Sequence, residues 1–111
     1  MEKIERTIKY VALYNIYKEF LTHTQVEIMG DYFLADLSLS EIADSRNISR
    51  SAVEDAIKKG TIKLDECEEK LHLLAKSEKM LELTAKMKKK ALNYSELHEL
   101  EKLEEEIKNG I

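Results

Sequence analysis

No proline occurs anywhere in the 111 residues, and only three glycines do. Proline removes a backbone donor and clashes with the preceding turn, and glycine loses the most backbone entropy on ordering, so these two residues are the usual interruptions of a helix. A chain so poor in them, and so rich in Leu, Glu and Lys, is predicted to be all-α. Its hydrophobic share of 43% is enough for a small core. Basic side chains number 18 against 22 acidic ones, a net of −4. That balance is too even for indiscriminate polyanion binding, and the chain is too apolar for a disordered acidic tail.

Local signals divide the helical chain. Residues 3–20 predict a first helix, with Ile4, Ile8, Val11 and the dense run from Tyr10 to Tyr17 on its apolar face. Thr22 and Gln25 have the spacing of a capping box, so a second helix is expected from His23 to about Leu34, burying Val26, Met29 and Phe33. Ser38 and Glu41 repeat the spacing before a short helix with Leu39, Ile42 and Ala43 inward. Asn47 stands where the chain must turn sharply, and Asn tolerates a left-handed backbone better than any residue but Gly. Ile48 is expected to plug the corner and Ser49 to cap the next helix.

That fourth helix carries Val53, Ile57, Gly60, Leu64, Cys67, Leu71 and Leu74 at alternating steps of four and three, a heptad-like seam. Gly60 lies on the seam, where either a close approach by another element or a kink would account for it. Unbroken from Arg50 to about Ala75, the helix would be roughly 39 Å long at ~1.5 Å per residue. Its distal half then needs cover from the remaining chain or from a second copy, and a homo-oligomer is expected. Residues 77–92 predict a further helix with Met80, Leu81, Thr84, Met87 and Ala91 on one face. Asn93 and Glu96 introduce a last one with Leu97, Leu100, Leu103 and Ile107, ending at Asn109-Gly110. The expected organisation is therefore a helix-turn-helix domain over 1–63, sigma-factor-like and of winged-helix type, with a helical extension over 64–111 continuous with the fourth helix.

The stretch NISRSAVEDAIKKG, residues 47–60, has the pattern of the turn and second helix of a helix-turn-helix, the element that enters a DNA groove. With Ala52, Val53, Ala56 and Ile57 inward, the outward positions are Arg50, Ser51, Glu54, Asp55, Lys58 and Lys59. From Ser38 to Lys63 the cations Arg46, Arg50, Lys58, Lys59 and Lys63 exceed the acids Glu41, Asp44, Glu54 and Asp55 by one. Phosphate-driven affinity scales with the number of phosphates neutralised, so this face argues against strong duplex binding by charge alone and leaves RNA, read by shape and phosphate, open. The candidate nucleic-acid contacts are Arg46, Ser49, Arg50, Ser51, Lys58 and Lys59; Ser49 and nearby backbone N–H groups suit a phosphate at the helix N-terminus. The basic run KMKKK, Lys86 to Lys90, reads as a solvated helix face balanced by the acidic residues near the C-terminus.

TQVEIMGDYFLADLSLSEIADSRNISRSAVEDAIKK resembles the YlxM family of small bacterial DNA-binding proteins. The resemblance is carried by Leu21, Thr22 and Gln25, by SLSEIA from Ser38 to Ala43, by ISRSAV with the following IKK, and by KLHLL from Lys70 to Leu74. It is strongest over residues 4–74 and continues more weakly to the end. The helix-turn-helix part is also similar to the fourth conserved region of bacterial sigma factors. The chain departs from the family pattern at Asn47, Glu54 and Gly60. The resemblance implies an all-helical protein whose gene neighbours that of the signal recognition particle GTPase, with a regulatory role in that protein-targeting pathway through the particle's RNA or its proteins. The competing readings are a DNA-binding transcriptional regulator and a pure protein-interaction module.

Other classes find little support. His23, His72 and His98 are scattered, no HExxH pair or phosphate-binding glycine loop occurs, and the single Cys67 excludes an intrachain disulfide or a Cys-rich zinc site. No catalytic residue, metal or cofactor is expected. No apolar run approaches ~20 residues and the N-terminus lacks a signal-peptide pattern, so a cytoplasmic protein with no membrane span is expected.

Overall fold

The computed structural model describes residues 3–110. Met1, Glu2 and Ile111, the outer ends of the two expected domains, lie outside the described residues. The protein is all-helical: α1 (Lys3–Tyr17), α2 (His23–Met29), α3 (Leu39–Arg46), α4 (Arg50–Leu71), α5 (Leu73–Lys89) and α6 (Tyr94–Gly110). There is no strand among the described residues, and so no wing. The chain divides into two compact units, Met1–Leu71 and His72–Ile111, a division beyond the 63/64 point expected from sequence.

In the first unit, α1 buries Tyr10, Leu13, Tyr14 and Tyr17, a stripe at steps of three, one and three. Ile4 and Ile8, expected on this face, are 74% and 65% exposed. At 100° per residue they sit well over a quarter-turn from the Tyr10 stripe, which the count of apolar residues concealed. Lys3 and Arg6, by contrast, continue the stripe toward the N-terminus. After α1 the chain tightens into a 3₁₀ turn, Lys18–Phe20.

Thr22 begins α2 with a reciprocal capping box: its Oγ1 accepts from the Gln25 N–H (3.2 Å), and the Gln25 side chain accepts from the Thr22 N–H (2.9 Å). The helix widens into a π-helical turn over Gly30–Leu34, closed by the Ala35 N–H on the Gly30 carbonyl (3.0 Å). Tyr14 braces this widening, donating its phenol proton to the Val26 carbonyl at 2.8 Å. Met29 and Phe33 are buried as expected, while Val26 is half-buried.

Helix α4 is the axis of this unit, packed by α1, α2 and α3. Val53, Ile57, Gly60, Leu64 and Cys67 are all buried. Over these positions the cover comes from α1, α2 and α3, which precede α4 in the chain. Gly60 permits a close approach: an added Cβ would collide with Met29 Sδ and stand 3.1 Å from its Cε. At the far end, Tyr10 donates to Asp65 Oδ2 (2.8 Å) and Tyr17 to Glu68 Oε1 (2.6 Å), fastening α1 along α4. Fully burying an apolar side chain such as Leu13, Ile28, Ile42, Val53 or Leu64 contributes about 1.5–3 kcal/mol. The helix stops at Leu71, short of the expected Ala75, because His72 takes a left-handed backbone (φ 55°). The seam ends with it, and Leu71 is 42% exposed.

In the second unit, α5 and α6 pack on each other. Helix α5 starts at Leu73, earlier than expected, and buries Ser77 and Thr84; Met80 and Met87, expected on its inner face, are exposed. Asn93 caps α6 through the Glu96 N–H (2.9 Å), but the Glu96 carboxylate reaches back to the Leu92 N–H (2.6 Å) rather than to Asn93. Ile107 is buried, Leu97 and Leu100 are half-buried, and Leu103 is 42% exposed.

Candidate nucleic-acid interface

Four residues set the bounds of α3 and its turn into α4. Ser38 and Glu41 form a reciprocal box at the start of α3, with both bonds at 3.1 Å. The Ser38 backbone N–H, then its hydroxyl, holds the Glu41 carboxyl below the usual range. Asn47 ends the helix in the left-handed region (φ 54°, ψ 47°), and its N–H closes on the last turn of α3. Ser49 restarts the chain as a cap, its Oγ accepting from the Ala52 N–H at 3.0 Å. Ile48 does not plug the corner: it is 38% exposed. The packing of α3 on α4 rests instead on Ile42, Ala43 and Val53, which are buried.

This geometry fixes the phase of α4. Val53 and Ile57 point into the core, at 0% and 7% exposure. Arg50, Ser51, Glu54, Asp55, Lys58 and Lys59 are exposed, and so is Ala52, which was expected inward. Arg50 lies 3.3 Å from Glu54, and Lys59 lies 3.1 Å from Asp55. Such exposed pairs, four residues apart, are worth only a few tenths of a kcal/mol and open readily to a phosphate. Among the described residues, Lys58 and Lys63 have no carboxylate within ion-pair distance.

Arg46 is placed differently from the other candidates. Its Nε donates to Asp31 Oδ2 (2.8 Å) and its Nη1 to Glu27 Oε2 (2.7 Å), which ties α3 to the π turn and to α2. Hydrogen bonding to Asp31 raises its already high pKa further. Both charged bonds would have to open before it met a phosphate. The structure therefore brings Ser49, Arg50, Ser51, Lys58 and Lys59 onto one surface and occupies Arg46 elsewhere.

Two nearby residues escaped the sequence reading. Arg6 and Tyr32 line the hollows beside α4. The local signal for Arg6 was its place on the Tyr10 stripe, a cation where an apolar residue is the norm. Tyr32 had none, because its position follows from the π turn. In the second unit, Lys86 lies 3.8 Å from Glu82 and Lys88 lies 3.0 Å from Glu104, so two cations of the KMKKK run face acids of their own unit.

An α-helix, a three-residue turn and a second helix with an exposed outer face define a helix-turn-helix protein. The chain belongs to the UPF0122 family, described as "Putative helix-turn-helix protein, YlxM / p13 like", whose model matches residues 4–106. A UPF0122 protein of Halalkalibacterium halodurans is 42% identical over 85 residues, 77% of this chain and 78% of the relative. One of Mycoplasma capricolum is 45% identical over 84 residues, 76% and 74% of the two chains. One of Bacillus cereus is 44% identical over 85 residues, 77% of each. Among the described residues no helix is long and apolar enough to cross a membrane, and no three His, Cys, Asp or Glu side chains are grouped to hold a metal ion.

Proposed function

We propose that the chain is a non-catalytic regulatory protein that binds nucleic acid through the outer face of α4, with Ser49, Arg50, Ser51, Lys58 and Lys59 as its contacts. The observation that carries this reading is the phase of α4: Val53 and Ile57 are turned inward, and the cations of the same turns are turned out. Glu54 and Asp55 dilute the positive field, which favours a ligand recognised by shape and a few phosphates over strong electrostatic duplex binding. Together with the resemblance to the YlxM family, this supports a cytoplasmic role in the signal recognition particle pathway through the particle's RNA. The exposed Leu83 and Met87 of α5 and Leu103 of α6 support self-association of the second unit.

Fluorescence anisotropy with labelled particle RNA and a random DNA duplex, each at low and at physiological salt, tests the reading. RNA binding that survives physiological salt and weakens in Lys58→Ala, with the fold intact, is the expected result. Duplex binding that survives physiological salt, with none to the RNA, would favour a DNA-binding transcriptional regulator instead. Binding to neither polymer would leave a protein-interaction module.

A further inference from the structure

A groove beside the helix-turn-helix involves a part of the chain outside α3 and α4. A cleft of about 500 Å³ has Lys3, Arg6 and Arg50 on its walls, with Tyr32 and the acids Asp36 and Glu41. A second, of about 220 Å³, has Arg6, Tyr32 and Leu39 together with Glu54 and Lys58. Arg6, Tyr32 and Leu39 belong to both, so the two clefts are successive stretches of one groove from the first turns of α1 to the outer face of α4. Of the two acids in the larger cleft, Glu41 already accepts from the Ser38 N–H as part of the α3 cap.

The chain has three arginines, and they differ in how their charge is held. Arg46 is clamped by two carboxylates, and Arg50 lies against one. Arg6 has no carboxylate partner among the described residues. Its guanidinium lies 5.2 Å from the centre of the Tyr10 ring and 6.0 Å from that of Phe33. A cation–π contact positions the charge without using its N–H donors, which stay available for a planar, bidentate acceptor. Lys3 stands on the same stripe of α1 one turn earlier and lines the same cleft.

The geometry points to Arg6 as a phosphate-binding residue, holding one backbone phosphodiester of the nucleic acid whose neighbouring phosphates meet Arg50 and Lys58. The start of α1 then acts as a second contact element, with Lys3 adding charge to the same phosphate. This rests on the reading of α4 as a nucleic-acid face.

The test is anisotropy on the full chain with an RNA hairpin and a DNA duplex of matched length, over a salt series. Arg6→Gln is expected to weaken binding about tenfold and to lower the log–log salt slope by about 0.7–0.9, the loss of one phosphate contact. Lys3→Gln, at an exposed side chain, should lower the slope without lowering the melting temperature, and so carries the test if the Arg6 variant proves unstable. A loss confined to the hairpin assigns the phosphate to RNA; one confined to the duplex assigns it to DNA. Unchanged affinity and slope in both variants, with Lys58→Gln losing both, would overturn the role of Arg6 while leaving α4 as the interface. A wild-type protein that binds neither polymer would overturn both.

Discussion

At the scale of single residues, Gly60 is set by its neighbour more than by its helix. Replacing it with Ala should gain up to about 1 kcal/mol of helix propensity, but the new methyl group would enter the volume of Met29 Sδ. The overlap outweighs the propensity, and a net loss of about 1–3 kcal/mol is expected from thermal or urea melting. Met29→Ala in the same chain should relieve part of it, so that the double variant is more stable than the sum of the single losses predicts. Arg46 poses a different question, since it looked like a phosphate contact. Arg46→Gln leaves Glu27 and Asp31 facing each other four residues apart without their shared cation. With these side chains partly exposed and screened, a stability loss of about 1 kcal/mol is expected, while the salt slope of nucleic-acid binding stays unchanged. The sequence exposed the seam position of Gly60 but left close packing and a kink as alternatives. It hid the partners of Arg46 because they lie 15 and 19 residues away, beyond any helical spacing.

At the scale of elements, the helix starts with a side-chain cap were the most legible feature, whereas α5, which has none, starts four residues before the expected Ser77. Thr22 with Gln25, Ser38 with Glu41, and Ser49 act within three residues, and all three cap where their spacing places them. The left-handed turn at Asn47 was readable for the same reason. Asn47→Gly should be neutral or slightly stabilising, whereas Asn47→Ala should cost about 1–2 kcal/mol, the penalty of a Cβ in that conformation. The cap at Glu41 also has a pH signature. Its carboxyl titrates below the ordinary 4.5 in the folded chain because the Ser38 N–H and hydroxyl hold the ionised form. Its contribution is therefore present above about pH 4.5 and is lost as pH falls through the lower folded value. Glu41→Gln can keep the cap but cannot titrate, so the melting temperature of that variant should fall less steeply with acid than the wild type's. Helix ends were harder to read. His72 carries no Gly-like signal, and the hydrophobic seam runs past it to Leu74, so nothing local in the sequence marks the end of α4 at Leu71.

At the scale of the whole molecule, the seven large, fully buried side chains among the described residues, from Leu13 to Leu64, all belong to the first unit. A chain of residues 1–71 should therefore melt cooperatively and retain nucleic-acid binding, checked by circular dichroism and anisotropy. The isolated 72–111 hairpin, whose buried residues include the polar Ser77 and Thr84, should not melt cooperatively. The sequence conveyed the helical class and the phase of α4 because both rest on local periodicity. It did not convey the groove at the start of α1, which exists only once α1, the π turn and α4 are brought together. The most direct test of the α4 interface is amide chemical-shift mapping of the full chain titrated with labelled particle RNA. The largest shifts are expected at Ser49 to Lys59, with a second group near Arg6. Shifts confined to α5 and α6, with α4 silent, would contradict it.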